Sequence, residues 1–265
     1  MSFFIWSQLK TTDFSAINPE RAIALLPVGA TEQHGPHLPL NTDSLLAEAM
    51  AGGAAAKVRN ADVYILPTVT YAKSDEHLSF PGTLTLDAST LEATIVQIGR
   101  SVARAGFSKL VFLNAHGGNV PVLQIAARRL RNEEKLFCVA AGWMGMGFPD
   151  GLVSAEERTS GIHGGFVETA AMLHFRPDLV ALDKARNFRP ASADVAEAYE
   201  VLRLVGPVGA GWIAEDLTDD GVAGDAAGAT AEAGRALAEH ATERFARLLD
   251  ETAAYHPPFL LQGDR

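Results

Sequence analysis

The 265-residue sequence predicts an α/β protein with a mainly parallel central sheet and helices on both of its faces. Three observations carry that expectation. Short apolar runs recur at 21–28, 62–70, 109–114 and 135–143, each continuous enough for a strand buried on both sides. Between them lie helix-patterned stretches long enough for the crossovers that parallel pairing requires. Hydrophobic residues make up 48% of the chain, enough for a substantial core.

The elements follow in order. "MSFFIWSQLK" has no charged segment before its short apolar run and no small-residue cleavage site, so it does not read as a signal peptide. "RAIALLPV" (21–28) is a buried strand ended by Gly29. "DSLLAEAMAGGAAAKV" (43–58) is an Ala- and Leu-rich helix, weakened by Gly52 and Gly53. "DVYILPTVT" (62–70) is a second strand. Ser89 and Glu92 form a capping box that opens a helix through about Arg104. "KLVFLN" (109–114) is a third strand, and Asn119 with Pro121 opens the next helix. "KLFCVAAGW" (135–143) is a fourth strand. Beyond Gly147 the pattern loosens: a helix begins near His163, 185–225 is loop-rich, and 230–255 is a long helix. No repeat, linker or charge block divides the chain, so residues 1–265 are expected to form one domain.

Composition excludes several functions. A net charge of −10 lacks the basic patch of a nucleic-acid surface. Cys138 is the single cysteine, so no disulfide framework forms within the chain, and its apolar setting suits a buried thiol. No run approaches the roughly 20 apolar residues of a membrane span, and a cytoplasmic protein is expected. There is no G-x-S-x-G nucleophile elbow and no P-loop.

Chemistry concentrates in three stretches. In "PVGATEQHGPHLPLNTD" (27–43), Glu32 and His34 lie two apart, and extended backbone points both to one side. Asp43 opens a helix, where it serves equally well as a favoured carboxylate at the dipole or as a ligand. In "FLNAHGGN" (112–119), His116 lies just past a parallel strand, at the rim where such sheets bind ligands. In "GIHGGFVETAAML" (161–173), His163 and Glu168 stand five apart, and a kink near Gly164–Gly165 brings both toward one site. Carboxylates and imidazoles without a cysteine pair suit Zn²⁺, Mn²⁺ or Fe²⁺. Three carboxylates with two or more histidines can hold two ions, one carboxylate bridging.

These stretches resemble, in order, the metal motifs of the creatininase family (creatinine amidohydrolases and relatives). "EHLSFPGTLTL" (76–86) and "GVAGDAAGATAEAGRALAEH" (221–240) resemble further blocks of that family. The resemblance implies a single three-layer α/β/α domain and a two-metal hydrolase, zinc first with manganese or iron as alternatives, assembled as a homo-oligomer, often a hexamer. By motif position, Glu32 and His116 would bind one ion and His34 the other. Asp43 would bridge, Glu168 would complete the second site, and His163 would transfer protons. Ser74 matches a serine that contacts substrate. Creatininase itself carries a tyrosine and a metal-binding glutamate directly after the histidine matched by His116. Here Gly117 and Gly118 replace them, leaving an expected open space beside His116 and pointing away from creatinine.

The reading implied is a metal-dependent amidohydrolase that cleaves a C–N bond of a small amide or cyclic amide with metal-activated water. The alternative is a peptidase trimming a short peptide, resembling the mycofactocin peptidase of the same family. An alternative of another class is a non-catalytic, metal-stabilised binding subunit. Neither nucleic acid nor membrane is an expected partner.

Overall fold

The computed structural model describes residues 2–206 and 208–257. Five parallel strands form the central sheet: β1 (Ser2–Ile5), β2 (Ala22–Val28), β3 (Asp62–Ile65), β4 (Lys109–Asn114) and β5 (Phe137–Gly142), in the order β1-β3-β2-β4-β5. Residue parity sorts each inner strand into two cores, because successive side chains leave opposite faces. Ile23, Leu25, Val63, Val111 and Leu113 pack on one side. Ala24, Leu26, Tyr64, Leu110 and Phe112 pack on the other. Every residue of β2 is buried, which is why its sequence is apolar without alternation.

The first face is covered by α1 (Thr42–Lys57), α5 (Phe166–Phe175) and α7 (Ala231–Ala254). In α7, Leu237, Ala241, Phe245 and Leu249 recur every four residues and form its buried stripe. The second face is covered by α2 (Ala88–Arg104) and α3 (Val120–Glu134). In α2, Leu91, Ile95 and Val102 face inward. Lys109, at the start of β4, is buried and donates through Nζ to the carbonyl of Ala253 at the end of α7.

Several expectations need correction. The N-terminal segment forms edge strand β1, in register with β3 from Ser2↔Asp62 to Ile5↔Ile65. The second strand ends at Ile65 and not at Thr70, because Pro67 has no N–H to continue a ladder. Helix α2 is capped by Asp87, whose Oδ1 accepts the Thr90 N–H at 2.6 Å, while Ser89 lies inside the first turn. The helix expected near His163 begins at Phe166. The segments beyond Gly147 carry short helices α4 (Ala155–Ser160) and α6 (Ala191–Ala198) and an antiparallel pair, β6 (Asn187–Phe188) with β7 (Gly224–Asp225). No described helix is long and apolar enough to cross a membrane.

Candidate metal centre

Central strands β2 and β4 are neighbours, and their carboxyl ends build the site. Glu32 and His34 follow β2, and His116 follows β4. Two asparagines brace these ends. Asn114 Nδ2 donates to the His116 carbonyl at 2.6 Å, and Asn119 Nδ2 to the Gly29 carbonyl at 2.9 Å. Asp43 lies in the first turn of α1, Glu168 in the first turn of α5. Gly164, with φ +64°, makes the left-handed turn that separates His163 from α5, and its N–H donates to Glu168 Oε2 at 2.6 Å. The backbone of His163 pairs with Ala223, which ties the 221–225 segment to the site.

The geometry converges. Asp43 Oδ1 lies 3.2 Å from His34 Nε2, and its Oδ2 lies 3.5 Å from His116 Nδ1. Glu32 Oε1 approaches His116 Nδ1 at 3.1 Å and His163 Nδ1 at 3.5 Å. Glu168 Oε2 is 4.0 Å from His34 Nε2. All six residues are buried. Three sets place one ligand atom per residue within 4.8 Å of one another: Glu32, His34 and Asp43; His34, His163 and Glu168; and Glu32, His77 and His163. Both oxygens of Glu32 and Oδ2 of Asp43 are buried without a hydrogen-bond partner. A buried carboxylate oxygen without a hydrogen bond is costly, so these atoms fit cation ligands.

Ionisation follows the packing. Burial opposes charge on His34, yet Asp43, Glu168 and Glu32 raise its pKa to about 10. His116 is likewise raised to about 10, with Glu32 and Asp43 outweighing burial. Burial pushes Glu168 up to about 7 and raises Asp43. Burial also lowers His77 to about 4 and carries His163 well below its usual value. Glu32 is driven well below the carboxylate range, as imidazoles His116, His163 and His34 overcome its burial.

All the sequence-predicted site residues come together. Ser74 is fully buried, with Oγ 3.4 Å from His116 Nε2. His77 was not singled out from the sequence, although it lies three residues past Ser74. It is 2% exposed, with Nε2 3.5 Å from Glu32 Oε1. Gln33, between Glu32 and His34, also escaped notice because an amide carries no ligand signal. His37 stays out of the cluster: its Nε2 meets Thr169 Oγ1 at 2.9 Å and the Gly164 carbonyl at 3.0 Å. The open space expected beside His116 exists only at Gly117. A Cβ at Gly118 would overlap Glu76 Oε1, His116 Nε2 and the Lys73 carbonyl, so no side chain fits there.

Fold and site define the class: a parallel α/β protein whose strand ends carry a carboxylate–imidazole centre suited to divalent ions. The chain belongs to the creatininase family, whose profile, described as creatinine amidohydrolase, matches residues 7–249. It is an amidohydrolase of that family. The mycofactocin precursor peptide peptidase of Mycolicibacterium smegmatis is 39% identical over 67% of this chain and 68% of its own. The creatinine amidohydrolase of Pseudomonas putida is 32% identical over 68% of this chain and 74% of its own. A solved structure described as a putative creatinine amidohydrolase from Bacteroides fragilis superposes with a TM-score of 0.77 at 27% identity, covering 96% of this chain and 97% of its own. Solved creatininases include a manganese form and a mutant of Zn–Zn type. These forms and the donor set support divalent-metal binding here.

Proposed function

We propose that this chain hydrolyses the C–N bond of an amide at the end of a short peptide, using two divalent ions, zinc first. Glu32, Asp43 and His116 would hold one ion, and His34, Asp43 and Glu168 the other. The observation that carries this reading is Asp43: its two oxygens divide between His116 and His34, the disposition of a carboxylate that offers one oxygen to each of two ions. When bound, paired ions polarise a carbonyl and make water nucleophilic at neutral pH.

The chain's own residues do the rest. His163 Nε2 donates to the Gln33 carbonyl at 2.7 Å, so its Nδ1 lone pair faces the centre. That nitrogen takes the proton of the attacking water and gives it to the departing nitrogen as the C–N bond breaks, leaving a carboxylic acid and an amine. By motif position Ser74 would contact substrate; its Oγ lies 3.4 Å from His116 Nε2. Burial of the ligands excludes bulk water from the reacting atoms.

Two observations favour a peptide. The relative at 39% identity is a peptide peptidase by name. In addition, exposed Leu40, Tyr71, Leu78, Leu84 and Val120 lie on the segments that carry the site residues and suit apolar substrate groups. A non-peptide cyclic amide is the second reading, favoured by the likeness to creatinine amidohydrolase. Zinc-loaded protein tested on short peptides, simple carboxamides and creatinine separates the two. Product release from peptides, with creatinine turnover weak or absent, is expected. Turnover confined to cyclic amides overturns the peptide reading, and inertness toward all three with full metal content favours a binding subunit.

A further inference from the structure

Four histidine rings face the centre, and their hydrogen bonds fix which nitrogen carries hydrogen. In three of them a main-chain carbonyl meets one nitrogen. His34 Nδ1 lies 3.2 Å from the Glu32 carbonyl, His116 Nε2 2.7 Å from that of Lys73, and His163 Nε2 2.7 Å from that of Gln33. A carbonyl only accepts, so each of those nitrogens is the donor, and the neutral ring turns its lone pair toward the carboxylates.

His77 is wired the opposite way. Gln33 Oε1 accepts the Gly35 N–H at 2.9 Å, and Gln33 Nε2 donates to the Gly221 carbonyl at 2.7 Å. Those two bonds settle which end of the amide is which. The second hydrogen on Gln33 Nε2 meets His77 Nδ1 at 2.8 Å, because His163 Nε2, 3.2 Å away, is itself the donor to the Gln33 carbonyl and cannot accept it. His77 Nδ1 is therefore an acceptor, and Nε2 carries the hydrogen. That Nε2 lies 3.5 Å from Glu32 Oε1, a buried oxygen that also faces His116 Nδ1 at 3.1 Å. The His77 ring is held flat against His163, with centroids 4.3 Å apart.

Building on the metal-centre reading, we propose that Gln33 and His77 are positioning residues. Gln33 locks His77 as the Nε2–H form, and that N–H orients the Glu32 carboxylate for metal binding. His77 is thus an N–H donor to a ligand and not a ligand itself. Such outer partners typically contribute about 10–100-fold to metal affinity.

Two measurements test this. Nitrogen-15 NMR of the metal-free, histidine-labelled protein reads the tautomer directly, with the His77 signals assigned by their loss in His77→Gln. Hydrogen on Nε2 is expected, and hydrogen on Nδ1 overturns the proposal. Chelator competition then reads zinc affinity. His77→Ala is expected to weaken it by about 10–100-fold. His77→Gln, which keeps an N–H donor, should recover most of that loss, and Gln33→Met should weaken binding without touching an ion. Affinity unchanged in both His77→Ala and Gln33→Met overturns the proposal. Should His77→Ala fail to fold, the wild-type tautomer and Gln33→Met decide. A wild-type chain that binds no zinc defeats the metal-centre reading and the role built on it, whereas a wrong tautomer defeats the His77 assignment alone.

Discussion

Asp43 faces two imidazoles with two different oxygens, at 3.2 and 3.5 Å. Asp43→Ala is expected to remove at least one ion per chain and nearly all activity. Elemental analysis showing full metal content would refute the bridging role. His163 is expected to act on protons. His163→Asn should keep both ions and lose roughly 10²–10⁴-fold in turnover, the usual range for general acid–base catalysis. Metal loss in that variant would make His163 a ligand, and a lower melting point with normal turnover would make it scaffold. The centre also predicts a pH dependence. Without metal, carboxylates Asp43 and Glu32 outweigh burial and hold His34 and His116 protonated up to about pH 10. An ion must displace those protons, so binding releases them and affinity rises with pH. Chelator competition at pH 6, 7 and 8 should show about a tenfold gain per pH unit for each proton displaced. A flat profile would show that the imidazoles are already deprotonated.

At the scale of elements, the sheet order places β2 and β4 side by side at the middle of the sheet, so their trailing loops meet without any contact being local in sequence. The helices then deliver carboxylates from their first turns, where the backbone dipole favours negative charge. The N-terminus of α2 makes a separate stability prediction. Asp87→Ala removes the acceptor of the Thr90 N–H and should lower the denaturation midpoint, leaving turnover unchanged. Ser89→Ala should cost less, because Ser89 donates to Asp87 Oδ1 and caps no backbone group of its own. Denaturant melts of the two variants check the order; the reverse order would restore Ser89 as the cap.

For the whole molecule, Tyr199, Val201, Leu202, Val208 and Ile213 leave large apolar side chains exposed along one segment. Exposed apolar side chains of this kind suit coverage by another copy of the chain. Light scattering is expected to give a mass several-fold above the 28.1 kDa of one chain, and a monomer would defeat the homo-oligomer expectation. The sequence by itself determined the α/β class, four of the five strands of the sheet and the candidate set Glu32, His34, Asp43, His116, His163 and Glu168. It could do so because strand burial and motif spacing are local patterns. Edge strand β1 was not legible, since a run of four residues acquires meaning as a strand only beside β3. Only the tertiary structure brought His77 and Gln33 into the centre. Their role depends on hydrogen bonds to residues 44 and 188 positions away in sequence, where no periodicity or spacing can register them. The same holds for Gly118: its lack of a side chain reads as open space in sequence, but packing of Glu76 and Lys73 against it makes glycine the residue that fits.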